Sequence, residues 1–599
     1  MKQLTGMDAG FLYMETPTTF GHVSSLAIYD RPDDEDFKPY ETFRAHIEAR
    51  LPLLEPFRRR LVEVPFQMDH PWWVEDPAFD LDFHVRHIGI PPPGSDIELA
   101  DQVARISSRP CDRARPLWEA YVIEGLESGR WATLIKIHHA TIDGAAGAEM
   151  LTMMLSPDKD QPVPELGAVP ATERVPSPEE MVGRTMLNFA SRPERFMKAQ
   201  MRAMREASAI AMERGPAELT RSMMSMFDWA GQGTAAGQGP AASAPPTPFN
   251  KSITASRRFS FRSTRLSDVN TVKNAAWVTF NEVVMAVCGG ALRRYLRRHN
   301  MLTDRPLQAA VPVSIRTGEE EDTWTNRVSS LVAPLPTHLE DPAERLKFAH
   351  EAMDEAKESF QLIPADALQD FSQFSPPAVF TQAAGLMTRL RMGDRMATPV
   401  NLIISNVPGP RHALYLGPAK LVHYYPVSAI GEGQGLNITV QSYEDKLDFG
   451  VVGDRTLVPD VWDLVDMMID ELDDLVALVA PSDETDPAPE AAPVPPAADA
   501  PDTGSTSDAP TGGNDTGGTG NGDATAASAP APAPATDKAG DSNHGAGKAG
   551  AKKTGARKAG TKKSGARKTA AKKRSTKTSA SKKAPARGAA ARGAGDGTA

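Results

Sequence analysis

The sequence predicts an α/β body followed by a tail that builds no core. Three observations predict this. Strand-like and helix-like stretches alternate irregularly from Met1 to about Ser156, and again from about Ile253 to Val479. That mixture favours a layered α/β or α+β sandwich over a helical bundle. Between them, residues 157–250 change character, with proline and acidic residues first and a loose Gly/Ala/Pro stretch last. From Pro481 onward large aliphatic and aromatic residues almost vanish, so the chain cannot bury enough apolar surface to offset its entropy. The expected organisation is an N-terminal domain over 1–156, a Met-rich helical crossover and flexible linker over 157–250, a C-terminal domain over 251–480, and a disordered tail over 481–599.

Each element has its own signal. GHVSSLAIYD reads as a strand, and Pro39–Leu53 as a helix. WWVED and FHVRHIGI read as strands, and IELADQVARISSRP as an amphipathic helix that Pro110 ends. WEAYVIEGL and WATLIKIHH are two apolar runs joined by the polar turn ESGR, which predicts a strand pair. Leu134, Ile135 and Ile137 predict that the second run is buried. In the connector, a helical stretch is expected from about Pro178 to Arg214, and nine of the 24 methionines lie between Met181 and Met226. Such helices pack on the body or offer an adaptable surface to acyl chains or a membrane.

In the second half, Phe280, Val283, Val284, Val287, Ala291 and Tyr295 fall on one face of a helix running to about Arg298. Thr279 with Glu282 three residues on fits a capping box. LQAAVPVSI, VNLIISNV, LNITVQSY and LDFGVVG are strand candidates, and Leu464–Leu478 is a closing helix. The apolar content suffices for two cores or one large shared core.

Charge divides along the same boundary. The chain has 66 basic and 77 acidic residues, but 481–599 holds 18 basic and 12 acidic ones, leaving a body of net −17. An acidic body is not built as a nucleic-acid reader. Within the tail, Lys548 to Arg592 carries 17 basic residues and no acidic one, with a repeat seen as KKTGARK at 552–558 and KKSGARK at 562–568. Such a polycation suits anionic lipid or nucleic acid. Two distant cysteines, Cys111 and Cys288, indicate neither a disulfide framework nor a cysteine zinc site. The N-terminus lacks the apolar core of a signal peptide, and no run of about 18 apolar residues suggests a membrane span.

One short stretch carries chemistry. Residues 136–144 read KIHHATIDG. At the end of a strand, His138 and His139 point to opposite faces, which argues against one metal bound by both. His139 and Asp143 are four apart, so a tight turn brings the carboxylate near the ring. Three readings remain open on these residues: a metal ligand, a histidine that caps a turn anchored by Asp143, or a general base facing a cleft. No G-x-S-x-G elbow occurs, and neither cysteine has a histidine nearby in sequence, so a covalent acyl-enzyme lacks an obvious nucleophile.

HHATIDG resembles the H-H-x-x-x-D-G motif of the CoA-dependent acyltransferase superfamily. More narrowly, the chain resembles the bacterial wax ester synthase/diacylglycerol acyltransferase family. The matching stretches are LTGMDAGFLYMET, GHVSSLAIYD and RPLWEAYVIEGL in the first half. VTFNEVVMAVCGGALRRYL, AAVPVSIR, ISNVPGP, LNITVQSY and LDFGVVGDR follow in the second, in the family's order from about residue 4 to 475. The resemblance implies a two-domain chloramphenicol-acetyltransferase-like sandwich with a tunnel between the domains. It implies that His139 is the general base, that His138 supports it, and that Asp143 orients the loop by a salt bridge, with Gly144 permitting the tight backbone behind.

The implied reaction moves a long-chain acyl group from acyl-CoA, a co-substrate rather than a cofactor, to diacylglycerol or a long-chain alcohol. No metal or cofactor is expected. Asn281, Ser405 and Asn406 are candidate substrate contacts. Two departures stand out. Glu282 replaces an aspartate common in the family, which the capping box accommodates, and Phe20-Gly21-His22 replaces Pro-Met-His, which leaves the role of His22 open. A cytoplasmic protein is expected, peripheral to the inner face of the membrane or to lipid bodies. The alternative function is a non-catalytic lipid-body scaffold tethered by its basic tail to DNA or anionic membrane.

Overall fold

The computed structural model describes residues 1–142, 150–159, 173–191, 244–314, 328–361 and 377–480. Asp143 and Gly144, most of the connector including the helix expected beyond Ser191, and the tail from Pro481 lie outside the described residues. Strands run in chain order as β1 Lys2–Gln3, β2 His22–Tyr29, β3 Arg59–Val62, β4 Trp72–Glu75, β5 Val85–Gly89, β6 Trp118–Glu124 and β7 Trp131–His138. The second half adds β8 Arg257–Arg265, β9 Leu307–Ser314, β10 Val328–Leu335, β11 Leu402–Val407, β12 Tyr415–Leu416, β13 Ala419–Val427, β14 Leu436–Tyr443 and β15 Lys446–Asp454. The longer helices are α1 Gly6–Tyr13, α2 Pro39–Arg50, α3 Asp96–Ser107, α4 Pro178–Ser191, α5 Leu266–Ala276, α6 Phe280–Arg298, α7 Pro342–Gln361, α8 Pro377–Arg389 and α9 Val461–Val479.

Two six-stranded sheets organise these elements. The first has the order β12-β13-β2-β7-β6-β5, and the second β10-β9-β11-β14-β15-β8. A small sheet, β1-β4-β3, lies beside α1 in a separate apolar cluster with Leu4, Phe11, Leu61 and Trp73. The expected strand pair exists: β6 and β7 are antiparallel, with Trp118 opposite Ile137. All eight residues of β7 are buried, because β7 is a central strand flanked by β2 and β6. The capping box of α6 forms, with Glu282 Oε2 accepting the Thr279 N–H at 2.8 Å.

Apolar side chains gather in layers. α5, α6, α7 and α9 cover one face of the second sheet. α2 covers one face of the first. Between the sheets, α3 packs with Leu26, Leu134 and Ile123 of the first sheet and with Phe259, Phe261 and Val452 of the second. Both halves therefore have their own core and also share one.

β13 carried no strand signal strong enough to assign from sequence. It is encoded late but pairs antiparallel with β2, Tyr424 opposite Ala27, and so completes the first sheet from the second half. Its far face meets β15. Buried Asp448 accepts the Tyr424 N–H at 2.7 Å and lies 3.2 Å from His423 Nδ1. Gly450 makes the contact possible, since a Cβ there would sit 1.8 Å from the Pro426 carbonyl oxygen. Backbone cannot yield as a flexible side chain can. Gly450→Ala is therefore expected to lower the unfolding free energy by roughly 2–4 kcal/mol in denaturant titration. An unshifted midpoint would show that β13 and β15 are free to separate.

Candidate active site

The end of β7 sets out the site. Register places His22 opposite His138 on β2. The two adjacent histidines then take opposite environments, as strand alternation requires. His138 turns inward, with its side chain only 1% exposed. Its Nδ1 accepts the Ala140 N–H at 3.0 Å, so the ring proton resides on Nε2. Nε2 lies 3.2 Å from Glu15 Oε1, with the N–H directed somewhat off that oxygen. His139 turns the other way. It is half-buried, its backbone N–H donates to the Gly21 carbonyl at 2.8 Å, and its ring stacks on Phe11 with centroids 4.4 Å apart and planes 11° from parallel.

Glu15 is the hub behind His138. Oε1 accepts the Gly21 N–H at 2.9 Å. Oε2 accepts from Arg113 Nη2 at 2.7 Å, and the same guanidinium donates to the Leu12 carbonyl. Burial opposes the charge on Glu15, but the His138 ring, Arg113 and the Gly21 N–H outweigh it and hold the carboxyl far below the usual carboxylate range. The lack of a side chain at Gly21 lets the His138 ring come close here: a Cβ would lie 2.6 Å from His138 Nε2 and 2.9 Å from the Phe11 carbonyl oxygen. The loop that carries Arg113 is itself pinned. Buried Lys136 on β7 donates to the Arg109 carbonyl at 2.9 Å and lies 3.5 Å from Glu119 Oε2.

Two clefts flank this strand end. One is lined by Lys2, Asp8, Arg59, Trp73, Ala140 and Thr141. The other opens where β2 and β13 meet β8 and β15, and His22, Phe20, Ser107 and Arg257 line it. Burial drives the His22 pKa well below its ordinary value, and nearby Lys136 adds to this, so the ring is neutral with Nε2 3.1 Å from the Ser107 carbonyl. Arg257 comes from the second half and clamps the first: Nη2 donates to the Thr18 carbonyl at 2.6 Å, and the guanidinium lies 5.0 Å from the Phe20 ring centre. Burial lowers its pKa to about 10.

The remaining candidates separate. Asn281, at the start of α6, and Asn406, on β11, come together, with Asn406 Nδ2 donating to Asn281 Oδ1 at 2.5 Å. Ser405 does not join them and stands in the ladder opposite Thr439. Glu282 is wholly buried, accepting from Thr279 and lying 2.9 Å from His350 Nδ1 and 3.1 Å from Lys357 Nζ. Its work is to tie α6 to α7. Both cysteines are buried, and burial pushes each thiol up to about 12, so neither is a nucleophile near neutral pH. Glu15, Gly21, Arg113 and Arg257 had no role assigned from sequence. Glu15 lies within LYMET, yet its partners are 98 residues away at Arg113 and beyond 100 at His138, which spacing does not reveal.

Comparison with known proteins places the chain in a class. Residues 4–284 match the wax ester synthase/diacylglycerol acyltransferase catalytic domain, and residues 324–476 match the C-terminal domain of the same family. A Mycobacterium tuberculosis (strain CDC 1551 / Oshkosh) protein assigned as a diacylglycerol O-acyltransferase is 34% identical over 484 residues, covering 80% of this chain and 90% of its own. A second such protein, from strain H37Rv, is 33% identical over 470 residues, covering 78% and 97%. Among solved structures, the wax ester synthase/diacylglycerol acyltransferase of Marinobacter aquaeolei VT8 aligns with a TM-score of 0.56 at 28% identity, covering 80% of this chain and all of that one. The protein is thus an acyltransferase of two-domain α/β architecture. It belongs to the wax ester synthase/diacylglycerol acyltransferase family.

The Glu15 hub makes a pH-dependent prediction. Glu15→Gln is expected to lower stability on the order of 2 kcal/mol at neutral pH. The folded pKa is depressed, so the stabilisation is complete above the unfolded value of 4.5 and is lost as pH falls through the folded one. The gap between wild type and variant, read by thermal melts across pH, should close on acidification below 4.5. A gap that widens in acid would show that the ionised Glu15 carboxylate does not hold these segments together.

Proposed function

We propose that the protein esterifies diacylglycerol with a long-chain acyl group from acyl-CoA, and that His139 is the general base. One observation carries the choice between the histidines. His138 is enclosed, with one nitrogen bound to the Ala140 N–H and the other against Glu15, whereas His139 is half-buried and its ring is oriented by its stack on Phe11. In this reading a ring nitrogen of His139 takes the proton of the acceptor hydroxyl as its oxygen attacks the thioester carbonyl. The tetrahedral oxyanion collapses, the C–S bond breaks, and the departing thiolate takes the proton from the imidazolium. The products are ester and free CoA. General-base catalysis supplies roughly 10²–10⁴ of the rate, and fixed donors at the oxyanion must supply more.

Asp143 is assigned to holding the loop and Gly144 to its tight backbone, with Asn281, Asn406 and Ser405 as substrate contacts. The amide pair supports the first two contacts more than the third. Long-chain alcohols serve as alternative acceptors. Among the described residues no single helix is long and apolar enough to cross a membrane. In this reading the protein meets a membrane or lipid body peripherally. The tail adds a contact with anionic lipid or nucleic acid.

Labelled palmitoyl-CoA offered with dioleoylglycerol or with hexadecanol tests the reading directly. Triacylglycerol is the expected main product. His139→Ala should lower kcat by about 10²–10⁴ with an unchanged melting temperature, whereas His138→Ala should lower the melting temperature as well. Full turnover in His139→Ala would refute the assignment. Removing residues 481–599 should leave kcat unchanged while reducing retention on anionic vesicles. A loss of turnover on truncation would place the tail in catalysis.

A further inference from the structure

Five exposed apolar side chains come from three elements that touch. Phe66, 88% exposed, stands on the single turn Pro65–Gln67. That turn lies against both α4 and α8. α4 presents Met186 and Leu187, 52% and 70% exposed, and Leu386 and Leu390 at the end of α8 are 55% and 45% exposed. Isolated exposed apolar residues need no explanation, but neighbours from three elements do. The backbone also bears a cost here. Phe66 and Gln67 have φ of 59° and 52°, left-handed values that burden a non-glycine residue by about 1–2 kcal/mol. Strain that holds an aromatic ring out in water is not what folding alone selects. α4 is fastened beside the turn, with the Arg184 guanidinium 5.9 Å from the Trp72 ring centre.

This face is continuous with the site. α8 packs against α1, and α1 carries Phe11, on which His139 stacks. Charge along α4, along α8 and just after α8 is nearly balanced, with Arg184, Arg389, Arg391 and Arg395 against Glu179, Glu180 and Asp394, and Asp69 is bound to Asn188 of α4. We propose that Phe66, Met186, Leu187, Leu386 and Leu390 seat the enzyme on a lipid surface, their side chains entering the acyl layer where diacylglycerol resides. The inference rests on the diacylglycerol reading above. It differs from electrostatic attachment in one measurable way. Apolar insertion makes binding persist at high salt, where repulsion between an anionic surface and the acidic body is screened as well, whereas attachment through the polycationic tail fades as salt rises.

Flotation of the full chain with phosphatidylcholine vesicles containing dioleoylglycerol, in about 1 M salt where the Debye length is about 3 Å, isolates the apolar contribution. Wild type is expected to float. The triple variant Phe66→Asn, Leu187→Ser, Leu386→Ser, in which asparagine tolerates the left-handed backbone, should partition roughly 10- to 100-fold less. It should also lose turnover on vesicle-borne dioleoylglycerol while keeping it on a monomeric short-chain diacylglycerol. Since both native thiols are buried, Leu187→Cys carrying an environment-sensitive dye gives a second readout, a blue shift on the same vesicles. Equal flotation of variant and wild type with no dye shift would overturn the proposal. So would wild type that fails to float, the result expected if another segment of the chain or a second copy occupies the face. A wild type that floats yet makes no triacylglycerol would overturn the diacylglycerol reading and leave the docking face standing.

Discussion

The site depends on where the His138 ring sits. It occupies the space that any side chain at position 21 would need, and it brings its Nε2 to Glu15. That contact fixes three separate pieces of chain: the end of α1 through Leu12 and Glu15, the β2 approach through Gly21, and the loop holding Arg113. Once these are fixed, the next residue has no freedom either. Its N–H is bound to the Gly21 carbonyl, and its ring must lie against Phe11. On the proposed reading of His139 as the base, such restraint helps, because catalysis depends on orientation more than on exposure. The adjacent histidines therefore divide one task, with His138 as the anchored element and His139 as the presented one.

The same logic operates between the two sheets. β13 belongs by sequence to the second half and by hydrogen bonding to the first. Asp448 and Gly450 fasten it to β15, while Arg257 reaches from β8 to Thr18 and stacks near Phe20. These ties converge around the cleft lined by His22, so the spacing of the sheets there is set by backbone contact and by buried charge-assisted hydrogen bonds. Apolar packing alone, through α3 and its neighbours, would tolerate more sliding than such directional bonds allow.

Local physics was legible in the sequence where it was local. β7, β6, β14 and α6 announced themselves by apolar runs, periodicity and a capping box, and the structure places them as read. Glu282 follows from the same principle, because a capping acid is specified within four residues. β13 escaped because its partner, β2, is some 400 residues earlier and its own run contains Pro426. Phe66 escaped because no local signal marks an aromatic residue at positive φ. The histidine motif could be placed on a strand end, but its motif does not contain Glu15 or Arg113, and only the fold assembles them.

Range distinguishes the two lipid contacts proposed for this chain. The body carries net −17, so an anionic bilayer repels it within a Debye length of about 8–10 Å. The apolar face acts only on contact, since burial of its side chains begins when water is displaced. By itself it would bind neutral surfaces well and anionic ones late. In the proposed attachment, the charge of a segment with 17 basic residues would act at longer range than apolar burial and so offset the repulsion. On the proposed reading, capture by the tail would set where the protein accumulates, and the face would set which molecules reach His139. A neutral acceptor such as diacylglycerol carries no charge to be steered, so its delivery has to rest on the second contact.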